Sequence, residues 1–405
     1  MGQYDSWEYL SGFIKTHRDS YAEELAKAPY AVKVKAHPGR PNLVMFKYSQ
    51  FESDFSNPVV RCCRGSVYNI DGGAARPYLM PFFKFSNYGE KGEDPIDWKG
   101  TLYVRDKLDG SLLKLLKEPD GADLWTTNGS FDLDVEIPEN YAAATEEKLT
   151  GPFTFASLRD YALRGREKEI AGLPALWTFM FELTSPFNRI IVPYRVTTLT
   201  LLGCRDGQGQ EYTPEWAVKE FGLTFDTPAI YPLKNIDEVI ACCRSVTAID
   251  REGVVVQDAH FNRVKIKNEH YLSLFRIKGE DHFTDTGIFD AVKRGSIDDA
   301  LAAWPEIRPR TEEIIAEWLL FIHNVEALCE KAKDYYKICE RERDPKLAKK
   351  QYALFVLDKY RAFSSFLFEA IKENAGLESI FNKIGYKELK SYWLPAMDGA
   401  ALEKN

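Results

Sequence analysis

The chain has 405 residues, 45% of them hydrophobic and 28% charged, with 53 Lys and Arg against 61 Asp and Glu. That length and composition describe two or three folded domains with cores large enough to need no covalent staples, and they exclude whole-chain disorder and a disulfide scaffold. The net charge of −8 excludes a global basic field, so any nucleic-acid surface must be local.

In chain order, short apolar runs alternate with turn signals as far as residue 280. Val59–Ile70 reads as a strand ending at the Asp71-Gly72-Gly73 turn. Leu102–Val104, Leu112–Leu116 and Leu124–Thr127 read as antiparallel strands. They are separated by Asp109-Gly110 and Pro119-Asp120-Gly121, and the third ends at Asn128-Gly129. Leu176–Leu183, Arg189–Cys204, Gly253–Gln257 and Arg263–Lys267 are further strand candidates, with helices near 150–171, 214–222 and Ile236–Cys243. Beyond 283 the pattern turns helical. Ser296-Ile297-Asp298-Asp299 opens a helix, and Thr311–Arg343 carries Ile314, Ile315, Trp318, Leu319, Ile322, Val325 and Leu328 on one face. Asp344-Pro345 stops that helix and starts the next, which runs over Lys346–Asn374 to Gly376. The expected architecture is α+β. Residues 1–280 form an antiparallel-sheet domain and 281–405 an all-helical domain.

The seven cysteines are odd in number and lack Cys-x-x-Cys spacing, which predicts a reducing, cytoplasmic setting rather than a disulfide or zinc framework. The six histidines, His17, His37, His260, His270, His282 and His323, show no ligand spacing. The leading residues have no basic-then-apolar pattern of a secretory leader, and no run of about 18 apolar residues predicts a membrane span.

The sharpest chemical signal is Lys107-Leu108-Asp109-Gly110-Ser111, a lysine at a strand end followed by a tight turn. A lysine becomes a nucleophile when cations or desolvation lower its pKa. Upstream lie Arg64-Gly65 and Phe82-Phe83-Lys84-Phe85-Ser86-Asn87. Downstream come Phe181-Glu182-Leu183-Thr184-Ser185-Pro186-Phe187-Asn188-Arg189-Ile190, Arg251-Glu252-Gly253 and Val264-Lys265-Ile266-Lys267, with Tyr271 and Ser273 beyond. Lys265 and Lys267 alternate on one strand and so share a face.

This ordered set resembles the bacteriophage T4 RNA ligase 1 family of the ATP-dependent covalent nucleotidyltransferases. The resemblance covers about residues 60–277 and implies an ATP-grasp-like ligase domain, with ATP held between antiparallel sheets. It implies that Lys107 attacks the α-phosphate of ATP, expelling pyrophosphate and carrying AMP as lysyl-AMP. The AMP would pass to an RNA 5′-phosphate, and a 3′-hydroxyl would then displace it. Lys265 and Lys267 would contact the α-phosphate, Arg64 the nucleotide or 5′-phosphate end, and Lys84 the pyrophosphate. Gly110 would let the backbone pass the nucleotide closely. Glu252 would hold Mg²⁺ or Mn²⁺, with Glu182 on the ribose or a metal-bound water. The implied partners are RNA 3′-hydroxyl and 5′-phosphate ends, nicked tRNA among them, engaged by a monomer without membrane contact.

One departure stands out: the family's Lys-Gly-Ser element reads Asn128-Gly129-Ser130 here, so either Asn128 hydrogen-bonds where the lysine would pair or the charge comes from elsewhere. The basic run Lys331, Lys333, Lys337, Arg341, Arg343, Lys346, Lys349 and Lys350 is either a solvated face or an RNA-docking surface, with Tyr335 and Tyr336 for stacking. DNA ligases and capping enzymes usually carry Arg where Leu112 stands and an OB-fold where the helical tail lies. The alternatives kept open are a non-catalytic RNA-end binding protein and the adenylyltransferase part of a multi-subunit tRNA repair system.

Overall fold

The computed structural model describes residues 6–49, 52–71, 74–90, 93–137, 145–245, 250–278, 283–294, 297, 300–301, 304–342, 344–372, 377–381 and 383–396. Gly72-Gly73, the helix start at Ser296, Arg343, His282 and the stop at Gly376 lie outside the described residues. Two compact units divide the chain, Met1–Tyr271 and Leu272–Asn405. The division falls inside the helix Glu269–Lys278 rather than in a linker.

Among the described residues the first unit contains three sheets. Sheet A has strands β1 (Val32–His37), β2 (Arg40–Tyr48), β3 (Arg64–Asp71) and β4 (Ala74–Leu79) in that order, all antiparallel. One face packs on helices α1 (Glu8–Thr16) and α2 (Tyr21–Ala26) through Leu10, Ile14, Leu25, Phe46 and Tyr68. Its other face, Leu43, Met45, Val67 and Leu79, packs on Leu116, Leu124 and Phe131.

Sheet B contains β5 (Ser86–Asn87), β6 (Leu102–Lys107), β12 (Ile230–Tyr231), β13 (Gly253–Asp258) and β14 (Arg263–Lys267) in the order β12-β6-β13-β14-β5, with β5 parallel to β14. Sheet C contains β7 (Ser111–Lys117), β8 (Asp123–Thr126), β9 (Thr178–Thr184), β10 (Thr198–Arg205) and β11 (Glu211–Tyr212) in the order β11-β10-β9-β7-β8.

Period-two alternation decides what each sheet presents. In sheet B, Val104, Val254, Val256, Val264 and Ile266 enter a core with Val239 and Cys243 of the helix Ile236–Arg244. The intervening Arg105, Lys107, Val255, Gln257, Arg263, Lys265 and Lys267 line a cavity. In sheet C, Leu113, Leu115, Phe179, Phe181, Leu199 and Leu201 form the core, while Leu112, Glu182 and Leu202 line the same cavity. The cavity therefore lies between sheets B and C.

Several elements depart from the expectations set by sequence. Asn57 caps a short helix, Pro58–Arg61, by accepting from the Val59 N–H at 2.9 Å, so the strand starts at Arg64 rather than Val59. The expected helix over 150–171 is two, Phe155–Ala162 and Glu167–Ala171, parted near Gly165 at φ +81°. The expected strand Arg189–Cys204 begins only at Thr198. The reason is that the Ile191 and Val192 N–H groups donate to the Asp109 carboxylate instead of to a neighbouring strand.

The second unit is helical. Arg308–Glu342 buries Ile314, Trp318, Phe321, Val325, Cys329, Ala332, Tyr336 and Cys339, a stripe with spacings of three and four. Leu319 is 58% exposed and off that face. Trp318, Phe366 and Phe381 pack edge-on or tilted within 6 Å of a neighbouring ring. Tyr336 is buried against Tyr352 at 5.2 Å, and Tyr335 stacks on Phe355 at 4.2 Å, so the two tyrosines are spent on packing rather than presented for stacking. Lys333 and Lys337 pair with Glu330 and Asp334 one turn earlier.

A buried ionic network joins sheets B and C. Glu211 of β11 accepts from Arg205 of β10 and from Arg263 of β14, and all three are under 9% exposed. Removing the carboxylate strands two buried guanidiniums, which costs about 3–5 kcal/mol. Glu211→Ala should lower unfolding stability by that amount in chemical denaturation, far more than Glu313→Ala, whose pair with Arg310 is exposed.

Candidate active site

The Lys107–Ser111 connection is not the hairpin expected from sequence, because it carries the chain from β6 of sheet B to β7 of sheet C, and it is pinned from several directions. Buried Asp109 accepts from Ile191 N and Val192 N through one oxygen, each at 2.8 Å, and from the Tyr271 hydroxyl at 2.6 Å through the other. The Asp109 N–H donates to the Tyr194 hydroxyl at 3.0 Å. The Gly110 N–H donates to Glu182 at 3.1 Å, and a Cβ at Gly110 would collide with the Leu183 carbonyl oxygen. Asn188 donates to the Ser111 hydroxyl at 2.9 Å, which gives the Asn188-Arg189 segment a structural role. The sequence alone marks Asp109 only as a turn former. Its place in the Lys-x-Asp-Gly-Ser motif is the signal that points to more.

Glu252 sits at the centre of the charge arrangement. It precedes Gly253, which is in register with Lys107 on one side and Lys267 on the other. Its carboxylate accordingly meets Lys107 Nζ at 2.5 Å and Lys267 Nζ at 2.7 Å while only 4% of its side chain is exposed. Burial pushes this carboxyl upward, but the two lysines outweigh it and hold it below its ordinary range.

The nucleophile candidate differs from expectation in one respect. Burial alone would lower the Lys107 pKa, but Glu252 and Glu182 outweigh it and hold the ammonium above its ordinary value. The neighbours that matter most are carboxylates, not cations. Glu182 is pushed up to about 7, chiefly by burial and against the pull of Lys107.

Arg64 reaches the cavity over the Phe85 ring at 4.8 Å. Lys265 lines it too, and is pushed down to about 7 by burial first and then by Lys84, Arg64, Lys107 and Lys267. Lys84 is buried, donates to the Phe85 carbonyl at 3.1 Å and lies over the Phe55 ring at 4.4 Å. It is not among the residues that line the cavity. Phe82, Phe85, Leu108, Leu112, Leu202, Pro228 and Val255 supply an apolar wall. An apolar slot edged by cations suits a base and its phosphates.

The RNA ligase family model of the T4 RNA ligase 1 type matches residues 62–271. The chain belongs to this family. It is 28% identical over 301 residues to a protein described as a bifunctional polynucleotide kinase/RNA ligase of Autographa californica nuclear polyhedrosis virus, covering 69% of this chain and 40% of that protein. The chain thus spans well under half the length of that viral relative. It is 24% identical over 378 residues to an RNA ligase of Rhodothermus phage RM378, covering 79% of this chain and 83% of the phage protein. Among solved structures it resembles an archaeal ATP-dependent RNA ligase, with 12% identity, a TM-score of 0.41 and coverage of 74% and 79% of the two chains. For this RNA ligase family member, Arg64, Lys107, Glu182, Lys265 and Lys267 line one cavity, Glu252 and Gly110 are bonded to lining residues without lining it themselves, and Lys84 is not in the lining.

The divalent cation of such a site can be tested against the donors present. Among the described residues no group of three or more metal-ligating side chains exists. Glu252 and Glu182 fit a small hard cation as one or two carboxylates that act together with substrate phosphates.

Lys265 generates a pH prediction. Its folded pKa lies near 7, so the free protein loses this charge as pH rises above 7. A bound polyphosphate favours the charged form, and binding then takes up a proton. Affinity for a non-hydrolysable ATP analogue should fall between pH 7 and 9, by less than about tenfold per unit. Lys265→Met should flatten the profile, leaving only the ligand's own titration.

Proposed function

We propose that this chain is an ATP-dependent RNA ligase that joins 3′-hydroxyl and 5′-phosphate RNA ends, with Lys107 as the site of AMP attachment, in the repair of broken RNA such as nicked tRNA. The observation that carries the reading is the single carboxylate of Glu252 holding Lys107 and Lys267, two lysines that line a cavity together with Arg64, Glu182 and Lys265.

The chemistry asks these residues for positioning and charge control more than for covalent work. The Lys107 amine bonds to the α-phosphorus of ATP, and the bond to the pyrophosphate oxygen breaks. The ammonium proton must leave first. Glu252 therefore acts twice. It aims Lys107 in the resting protein, and it must release Lys107 before attack. Lys265 and Lys267 face the cavity from β14 and are placed to balance the charge that builds on the phosphate oxygens. In the second step the 5′-phosphate of RNA displaces Lys107 from AMP, giving a 5′–5′ pyrophosphate linkage. In the third the 3′-hydroxyl attacks that linkage, and AMP leaves. A divalent cation held by Glu252, with Glu182 near it, would neutralise phosphate charge when bound.

The helical unit is assigned to RNA selection in this reading. Lys333 and Lys337 are paired with neighbouring acids, and the assignment rests on the domain order alone.

The test is incubation with α-labelled ATP and Mg²⁺ or Mn²⁺, followed by denaturing electrophoresis. Wild type should carry acid-labile label that pyrophosphate removes, and Lys107→Ala should carry none. An adenylylated product on 5′-phosphorylated RNA, then a joined strand, should follow. If neither label nor a mass increment of AMP is found on the purified protein, the reading fails, and an RNA-end binding role without catalysis replaces it. Glu252→Gln should lower AMP attachment by at least about a hundredfold, the scale expected for removing a charged partner from the reacting centre.

A further inference from the structure

A second cluster of cations lies next to Arg64, which itself lines the cavity, and outside the cavity lining. On β7 the side chains Leu112, Lys114 and Leu116 share a face. Leu112 lines the cavity, and Leu116 packs into the seam between sheets A and C. Lys114 lies between them, fully buried, and donates to the Gly65 carbonyl at 2.7 Å. An ammonium has three donors. Burial, then Arg64 and Lys47, push its pKa well below the ordinary lysine range.

The polar groups around Lys114 are short of partners as well. Thr126 is its cross-strand neighbour on β8 and is fully buried, and its hydroxyl has no hydrogen-bond partner. The side-chain carbonyl of Asn128 is likewise buried and unpartnered. Gly65, at φ +72°, leaves the space where its own side chain would stand to Lys114 Nζ and the Asn128 backbone. Lys47 Nζ comes within 2.9 Å of where a Cβ on Gly129 would lie, and Lys35 donates to the Ser130 hydroxyl at 3.4 Å. Three lysines from three strands thus converge on the Asn128-Gly129-Ser130 turn. A fourth at 128 would stand against Lys114 in a desolvated space, which gives Asn128 a physical reason.

We propose that Lys114, with Lys47 and the Asn128-Gly129 turn, forms a phosphate subsite beside Arg64, in which β7 supplies the positive charge that residue 128 lacks. Phosphate oxygens would take the remaining Lys114 donors and the Thr126 hydroxyl, and a half-turn of the Asn128 amide would add its N–H₂. The inference rests on the ligase reading for its ligand, which is a phosphate group either of the ATP polyphosphate or of the RNA 5′ end.

The experiment loads the full chain with AMP and chases the adduct two ways. Pyrophosphate returns AMP as ATP and reads the polyphosphate source; a 5′-phosphorylated oligoribonucleotide takes AMP and reads the RNA source. Lys114→Met should slow one or both chases by about ten- to a hundredfold, and the slowed chase names the source. The double variant Lys114→Met, Asn128→Lys carries the charge across to the turn and should recover most of the loss. Unchanged chases in Lys114→Met overturn the subsite. So does a loss that the double variant fails to recover, because packing then accounts for Lys114. If Lys114→Met does not fold, the double variant is read alone: chases within about tenfold of wild type support the subsite, and a folded protein inactive in both overturns it. If wild type takes up no AMP, the ligase reading has failed separately. Calorimetric titration of pyrophosphate then decides: weaker binding by Lys114→Met supports the subsite, and equal binding overturns it.

Discussion

Much of the first unit can be traced to one buried carboxylate. Glu252 bridges Lys107 and Lys267 because the residue after it, Gly253, pairs in register with both. A shift of either neighbouring strand by one residue would turn its lysine to the opposite face. It would leave a charge buried among Val104, Val254, Val264 and Ile266. The ion pairs and the apolar core behind them therefore enforce the same register. In the proposed reaction the clamp would also set the resting state, since a lysine held as a cation is aimed but not nucleophilic. Control of the proton on Lys107 then becomes control of where Glu252 points.

The remaining charges divide into two kinds. Arg205, Glu211, Arg263 and Gln257 are joined by hydrogen bonds in the interior and link β10, β11, β13 and β14. Such groups stabilise by geometry and are costly to break. Lys265 and Lys114 are different. Their main electrostatic neighbours are cations, and burial holds both below the usual lysine range. A lysine in that position gains more from an arriving anion than one already paired. The first set fixes the distance between the walls of the cleft, and the second makes the cleft attractive to phosphate.

What is legible in the sequence follows the same division. The strands read at 102–104, 112–116, 253–257 and 263–267 are legible because each carries a run of apolar residues bounded by turn signals, although the first extends to Lys107 in the structure. The gathering of Lys107, Glu182, Glu252, Lys265 and Lys267 can be read from their motifs. The helices and strands before residue 58 cannot, since their partners lie on β3 and β4, and the local pattern gives no hint of that packing. Arg189–Cys204 is apolar enough for a strand, and only the distant Asp109 carboxylate explains why its first half is a loop. The Lys107 pKa runs opposite to expectation for the same kind of reason: Glu252 and Glu182 are 145 and 75 residues away in sequence, and register alone makes them neighbours.

The Asn128 departure shows why a motif position and a charge position need not coincide. A phosphate responds to where positive charge stands, and several backbones can deliver a lysine ammonium to one point. Lys114 stems from β7, one strand over from the turn that bears Asn128, yet the two share the space left by Gly65. That sharing requires glycine at 65, because any Cβ there would displace the ammonium or the Asn128 backbone. Gly65, Lys114 and Asn128 therefore form one coupled choice. A chain with lysine at 128 would have no use for a buried cation at 114, and a chain with a larger residue at 65 could not seat one.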